Sequence, residues 1–224
     1  MSNDIIVFDM DGVLVDVTDS YRETIRRTVK HFTGREITKE LIQDYKNSGG
    51  WNNDWALSRK IAADLGTELE YQTVVDYFQS IFSGNGTDGL ILREKWIARE
   101  GLLEALNRRF GFGIFTGRLR AEADVTLQRF ASHLKFEMIV ADDDVVNPKP
   151  APDGLHLVAA QFPVRKIWYI GDTVDDARSA AAAQVSFIGI AGRENPRREE
   201  VVKLLRRENA IAVLESINEL ETVL

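Results

Sequence analysis

The sequence predicts an α/β protein with a parallel sheet and a large helical insertion. Short apolar runs alternate with helical patterns over the second half of the chain, which predicts buried strands joined by helices that cover both faces of the sheet. The stretch between residues 8 and 112 is far too long for one crossover helix and carries no convincing strand pattern. It therefore predicts a second, smaller domain that is inserted after the first strand.

Five short apolar runs are predicted to form the buried strands. They are IIVF (5–8), FGIFT (112–116), EMIVA (137–141), IWYIG (167–171) and VSFIGI (185–190). Helices are predicted between the last four runs, at 118–131, from Pro152 onward, and through the alanine-dense residues 177–183. Alanine is the best helix former, which supports the last of these helices.

The insertion is predicted to consist of amphipathic helices. They are expected at 19–33, 37–46, 54–65 and 69–83, and a further helix near 97–110 leads back to the sheet. The glycine-rich segment GNGTDG (84–89) is interpreted as a flexible return linker; it also matches G-x-G-x-x-G, but a helix rather than a strand precedes it, which disfavours a dinucleotide site. The domain bounds expected are 1–14 and 90–224 for the core, and 15–89 for the insertion.

Composition and charge exclude several classes of protein. With 28 basic and 35 acidic residues the net charge is −7, which argues against a sequence-independent nucleic-acid binder. The absence of cysteine excludes disulfides, thiolate zinc sites and a cysteine nucleophile. No apolar run approaches the ~20 residues of a membrane span, and no secretory signal is visible. We therefore expect a cytoplasmic protein with no nucleic-acid, membrane or evident protein partner.

Polar residues follow four of the predicted strands. The carboxyl ends of parallel strands lie at one edge of a sheet, where ligands bind in open α/β sheets. These residues should therefore lie close together. Carboxylates suit magnesium, and a lysine beside backbone N–H groups suits phosphoryl oxygens. The residues are Asp9 and Asp11, then Thr116-Gly117-Arg118, then Lys149, then Asp172, Thr173, Asp175 and Asp176.

Each of these motifs also has a more ordinary interpretation when it is taken alone. Asp-x-Asp-Gly is common in turns, and Lys149 could be an exposed side chain in a stiff proline-rich loop. Thr173 could be a helix cap. Arg118 could bind an acidic group of a substrate or form a surface salt bridge. Their positions after successive strands favour one shared site.

Taken together and in order, four motifs resemble those of the haloacid dehalogenase superfamily: DMDGVL, FTGR, KPAPD and GDTVDD. The helical insertion just after the first motif resembles the cap of the phosphoglycolate phosphatase and β-phosphoglucomutase-like branch. The resemblance covers nearly the whole chain. It implies a Rossmann-like parallel core, with strand order 5-4-1-2-3, and an inserted α-helical cap domain.

The resemblance also implies roles for individual residues. Asp9 would be the nucleophile that forms an aspartyl-phosphate, and Asp11 would be the general acid and then the general base. Thr116, Lys149 and the backbone at Gly117 would bind the phosphate, and Arg118 is a further candidate for substrate binding. The ligands of a Mg²⁺ ion would be Asp9, Asp11 through its carbonyl, and Asp172. Asp176 would contact the ion through a water molecule or support the other ligands.

The segment NSGGWNNDW (47–55) of the insertion is the candidate for substrate specificity. Glycines make it mobile, and its asparagines offer both donors and acceptors. Trp51, Asn52 and Asn53 are therefore predicted to contact the substrate. The alternative is that the tryptophans simply pack the core of the insertion.

The function expected is that of a Mg²⁺-dependent phosphatase that hydrolyses a small phosphorylated metabolite. Asp11 favours phosphoryl transfer over carbon–halogen cleavage, because the dehalogenases of this superfamily lack an aspartate at that position. Two alternatives stay open. One is a phosphosugar mutase, which uses the same nucleophile, and the other is a non-catalytic binding protein on the same fold.

Overall fold

The computed structural model describes residues 4–163 and 165–224 and contains a six-stranded parallel sheet. The strands of the chain are β1 (Ile5–Phe8), β2 (Val15–Asp16), β3 (Lys95–Trp96), β4 (Gly111–Phe115), β5 (Met138–Val140), β6 (Ile167–Gly171), β7 (Ser186–Ile190) and β8 (Ala212–Leu214). The sheet has the order β5-β4-β1-β6-β7-β8, and all of its pairings are parallel. The predicted α/β class is confirmed.

Three short strands were not predicted. β8 extends the sheet beside β7, and β2 and β3 form a separate two-stranded sheet. Each has only two or three residues, which is too short to show a two-residue periodicity.

Nine α-helices accompany these strands in the described residues. They are α1 (Tyr21–Thr33), α2 (Lys39–Ser48), α3 (Asp54–Asp64), α4 (Tyr71–Phe82), α5 (Leu102–Asn107), α6 (Arg120–Phe130), α7 (Asp153–Gln161), α8 (Val174–Ala182) and α9 (Arg198–Arg207). The helix expected at 97–110 is shorter than predicted. Gly101 adopts a left-handed φ of 80° directly before α5, and Ile97 N donates to Leu14 O, so residues 97–101 are not helical.

The chain divides into two compact units, one of Met1–Val15 with Trp96–Leu224 and the other of Asp16–Lys95. The first unit contains the large sheet. All four residues of β1 are fully buried, as expected for a central strand covered on both faces. Phe8 packs edge-to-face on Phe112 at 5.1 Å between ring centroids. On the opposite face, Tyr169 lies in a cluster with the small residues Ala177 and Ala180 of α8.

The second unit consists of α1–α4 and a short 3₁₀ turn, Leu90–Arg93. Its core is aromatic, with the rings of Tyr21 and Phe82 only 4.1 Å apart and Phe78 beside them. Local capping sets the helix starts, because the side chains of Thr38 and Asn53 accept N–H bonds from the first turns of α2 and α3. None of the helices in the described ranges is both long enough and apolar enough to cross a bilayer.

Candidate active site

Asp9 lies immediately after β1, where its backbone N–H donates to Ile170 O at 2.8 Å. The chain then turns sharply through Gly12, which has a φ of +70°. A Cβ atom at this position would overlap the carboxylate of Asp172. Glycine is therefore required here both for the left-handed backbone and for the close approach of Asp172. This turn brings the first and fourth motifs into contact.

Lys149 is the buried cation of this site. Its Nζ donates to Asp9 Oδ1 at 2.8 Å and pairs with Asp176 Oδ1 at 2.7 Å. The ammonium also lies 4.7 Å from the ring centroid of Phe115. An ammonium has three donors, and two are directed at carboxylates. The structure thus brings together Asp9, Lys149 and Asp176, which sequence reasoning placed at one sheet edge.

Burial and pairing shift the pKa values of these groups in different directions. Burial raises the pKa of Asp9 to about 7, even though Lys149 opposes the shift. Burial alone would lower the pKa of Lys149, but Asp176 and Asp9 together raise it above its usual value. The pKa of Asp176 would rise on burial, but Lys149 and hydrogen bonds from Thr173 and Tyr169 hold it below its usual value. The site therefore contains more negative charge than one lysine neutralises.

Three carboxylates converge in a way that suits a cation. One oxygen each of Asp9, Asp172 and Asp176 lies within 4.8 Å of the other two. The carboxylate of Asp176, however, already accepts four hydrogen bonds from other groups of the protein. Its Oδ1 binds Lys149 and the Tyr169 hydroxyl, the latter at 2.6 Å, and its Oδ2 accepts from the N–H and hydroxyl of Thr173. Asp9 and Asp172 are thus the better placed direct ligands.

Arg118 and Asp11 form a second ion pair. The guanidinium is almost fully buried, and its Nε donates to Asp11 Oδ1 at 2.6 Å. Thr116 is also buried, and its hydroxyl oxygen accepts from the Arg118 N–H at 3.3 Å. Gly117, between them, is partly exposed. Arg118 therefore forms a buried ion pair rather than the surface salt bridge considered from the sequence.

Thr173 is a helix cap. Its hydroxyl accepts the Asp176 N–H at 3.1 Å, and Asp176 reciprocates, which forms a capping box at the start of α8. The acidic run Asp142–Asp144 forms a short 3₁₀ turn, in which Asp144 pairs with Arg120. It does not belong to the group of converging carboxylates found in the described residues.

The segment 47–55 lies in the second unit, between α2 and α3. Asn53 caps α3 by accepting the Ala56 N–H at 2.8 Å. The Trp51 ring packs edge-on against Tyr45 and the Trp55 ring against Phe78, so both tryptophans contribute to packing. The side-chain N–H₂ groups of Asn47 and Asn52 are buried and have no hydrogen-bond partner in the described part of the chain.

Sequence reasoning missed three residues around these sites. The buried Tyr169 hydroxyl donates a hydrogen bond to Asp176, and the buried Thr126 hydroxyl accepts one from Arg118. Lys46 forms a mostly buried ion pair with Asp54. Tyr169 and Thr126 lie inside a strand and a helix, where a hydroxyl looks the same in sequence whether it faces a site or not. Lys46 was one of several lysines in the insertion, and only burial distinguishes it.

The chain belongs to the family of haloacid dehalogenase-like hydrolases, whose family model matches residues 6–190. This confirms both the superfamily resemblance and the expected class of enzyme, a hydrolase. A phosphoglycolate phosphatase of Colwellia psychrerythraea is 24% identical over 193 residues, which cover 84% of each chain.

Two further similarities differ in what they show. An imidazoleglycerol-phosphate dehydratase of Phytophthora nicotianae is 31% identical over 194 residues, but these cover 83% of this chain and only 42% of that relative's length. The crystal structure of a putative β-phosphoglucomutase from Thermotoga maritima has a TM-score of 0.64 at 23% identity and covers 99% of this chain and 100% of that one. At this level of identity it shows the shared fold alone.

Proposed function

We propose that this protein is a Mg²⁺-dependent phosphatase that hydrolyses a small phosphorylated metabolite through an aspartyl-phosphate at Asp9. The observation that carries the proposal is the buried Asp9 carboxylate at the end of β1, held by Lys149 and converging with Asp172. A carboxylate buried beside a lysine and other carboxylates is costly unless it binds something. The name of the Colwellia psychrerythraea relative, phosphoglycolate phosphatase, supports a substrate of this class.

In the proposed reaction an Asp9 oxygen attacks phosphorus while the bond to the leaving oxygen breaks. Asp11 donates a proton to that oxygen. Asp11 then takes a proton from water, whose oxygen attacks phosphorus and releases Asp9 as the carboxylate. The third N–H of Lys149, together with Thr116 and the backbone at Gly117, would bind the phosphoryl oxygens. Asp11 suits proton exchange because its side chain is 31% exposed.

The residues present fit a divalent cation with oxygen ligands. Asp9 and Asp172 would hold Mg²⁺ together with the Asp11 carbonyl, and Asp176 would orient Lys149, because its oxygens are already bonded. When bound, the ion would neutralise the phosphoryl oxygens and the excess charge of the site. The cation requirement is therefore part of the proposal.

We further propose that the unit Asp16–Lys95 is the cap domain and that its segment 47–55 selects the substrate. The support is chemical. Asn52 and the neighbouring Asn47 each have a buried N–H₂ group without a partner in the described residues, and such donors favour an acceptor such as a hydroxyl or carboxylate. Trp51 is half-buried beside them. Asn53 would act mainly through its capping of α3.

Phosphate release from an aryl phosphate and from a panel of phosphorylated metabolites tests the proposal. The parent protein should need Mg²⁺, and Asp9→Asn should lose activity by several orders of magnitude while it stays folded. Asp124→Asn, an exposed carboxylate on α6, is the matched control and should behave as the parent does. Hydrolysis by Asp9→Asn within tenfold of the parent would exclude Asp9 as the nucleophile.

The same panel separates the two alternatives. A phosphosugar mutase would isomerise a sugar phosphate and release little phosphate to water, whereas a binding protein would do neither. The paired Asp9 and Lys149 argue against the binding protein, because that role does not need a nucleophile.

The cap assignment is tested with Asn52→Ala and with Asn53→Ser, which keeps a capping oxygen on α3. Asn52→Ala should change which metabolites are hydrolysed and spare a small aryl phosphate. Asn53→Ser should keep the parent profile. An unchanged profile for Asn52→Ala across the panel would exclude this residue from substrate selection.

A further inference from the structure

Arg118 is one of the largest fully buried side chains of the described residues, with only 2% of its surface exposed. Burying a guanidinium is costly unless its N–H groups have hydrogen-bond partners. Its Nε donates to Asp11 Oδ1 at 2.6 Å, and its Nη1 donates to Thr126 Oγ1 at 2.7 Å. A side chain so enclosed is poorly placed to bind a substrate that enters from solvent.

Asp11 and Thr126, two of the partners of Arg118, differ in how firmly they are held. Thr126 is buried within α6, and the backbone of Arg118 is tied by its carbonyl, which accepts the Asp142 N–H at 2.9 Å. Asp11 lies in the loop after β1, and its side chain is 31% exposed against 1% for Arg118. The guanidinium is therefore the fixed member of the pair, and the Asp11 carboxylate is the member that it orients.

We infer that Arg118 is a positioning residue that holds the Asp11 carboxylate at the angle needed for proton transfer, and that it does not contact the substrate. The inference rests on the proposed function, in which Asp11 is the acid and base. A planar guanidinium suits this task because its donors have fixed directions, whereas a lysine ammonium would act only as a point charge. Thr126 would fix the other end of the guanidinium.

This role affects some steps of the reaction and not others. A basic alkoxide leaving group needs the Asp11 proton, and so does activation of water in the second step. Attack by Asp9 on an aryl phosphate does not, because the aryl oxide leaves readily without a proton. Loss of Arg118 should therefore slow turnover of an alkyl phosphate far more than the first formation of the phosphoenzyme from an aryl phosphate.

The test compares Arg118→Met, Arg118→Lys and Thr126→Val, each with Mg²⁺ present. Arg118→Met should lower kcat for an alkyl phosphate by about 10- to 100-fold, the range for loss of a hydrogen bond to a charged group. Arg118→Lys should recover part of this loss, and Thr126→Val should show a smaller loss in the same direction. Arg120→Met, two residues along and paired with Asp144, is the control and should leave both rates unchanged.

A rise in KM with an unchanged kcat for Arg118→Met would overturn the inference, because it would mean that Arg118 binds substrate. Equal losses in the aryl burst and the alkyl turnover would also overturn it, since they would indicate a general loss of site structure. Arg118→Lys and Thr126→Val keep the test decisive if Arg118→Met does not fold.

A double-mutant cycle with Asp11→Asn gives the sharpest result. If Arg118 acts through Asp11, the double variant should turn over the alkyl phosphate no more slowly than Asp11→Asn alone. Losses that multiply would show that Arg118 acts independently and would overturn the inference.

The same cycle followed by thermal unfolding needs no turnover, which separates this inference from the proposed function. If the parent hydrolyses no phosphate ester, the proposed function fails, and the unfolding cycle still decides whether Arg118 holds Asp11. Non-additive changes in Tm support the pair, and additive changes overturn it.

Discussion

Removing the charge of Asp9 should stabilise the metal-free protein at alkaline pH. The carboxylate is 5% exposed, and burial together with Asp176 and Asp11 outweighs Lys149 and raises its pKa to about 7. Asp9→Asn has the shape of the protonated side chain and never ionises. We therefore expect the metal-free variant to unfold at a higher temperature than the parent at pH 8, although it lacks the proposed nucleophile.

The magnitude follows from the pKa values in the two states. A pKa of about 7 in place of 3.8 corresponds to roughly 4 kcal/mol, because each pKa unit is worth about 1.4 kcal/mol. Between about pH 4 and pH 7 the folded protein binds this proton more tightly than the unfolded chain does. The free energy of unfolding therefore falls as the pH rises through that window. In a chain of this size each kcal/mol shifts Tm by about 2–4 °C, so roughly 4 kcal/mol corresponds to an expected gain of about 8–16 °C at pH 8.

Thermal unfolding in the presence of a chelator, at pH 5 and at pH 8, measures the effect. The gain should be complete at pH 8 and less than half as large at pH 5, where Asp9 is neutral in the folded parent but, with a pKa of 3.8, still ionised in the unfolded chain. Asp124→Asn, on an exposed stretch of α6, should show neither. A variant that is no more stable than the parent at pH 8 would refute the argument that Asp9 carries an unfavourable buried charge.

At the proposed site, adding Mg²⁺ should reverse the order of stability, because the ion would bind the ionised form of Asp9. The parent should gain Tm, and the affinity should weaken about tenfold for each pH unit below 7, since the ion displaces the Asp9 proton. Asp9→Asn should gain little at either pH.

Three other substitutions give independent checks. Gly12→Ala places a Cβ against the Asp172 carboxylate and adds about 1–2 kcal/mol of left-handed backbone strain; we expect a lower Tm and a weaker Mg²⁺ response, measured by titration in the thermal assay. Lys149→Gln leaves two buried carboxylates without their cation, so Tm at pH 8 should fall by the equivalent of about 3–5 kcal/mol. The loss of Tm should be partly recovered at pH 5. A small loss of Tm at pH 8 would contradict the pairing. Gly154→Ala would drive a methyl group into the Phe115 ring, which should cost about 1–3 kcal/mol of overpacking and leave Mg²⁺ affinity unchanged.

Several features of the fold could be predicted because their signals are local. An apolar run of strand length between helical patterns defines each long strand, and all five predicted runs form strands of the sheet. β8 and the non-helical residues 97–101 could not be predicted in the same way. β8 exists because β7 offers it an edge, and the start of α5 depends on the backbone angle of Gly101.

By itself the sequence determined which chemistry could assemble at the sheet edge. Asp9 and Asp11 directly follow β1, and Lys149 and Asp172 occupy the same kind of position after other strands, so parallel pairing alone brings them together. Only the tertiary structure decided which of these groups contact one another. Lys149 meets Asp9 across 140 residues and Arg118 meets Asp11 across 107, and no local pattern encodes such a contact. Burial then shifts the pKa of Asp9 and encloses Arg118, because the cost of desolvating a charge depends on everything packed around it.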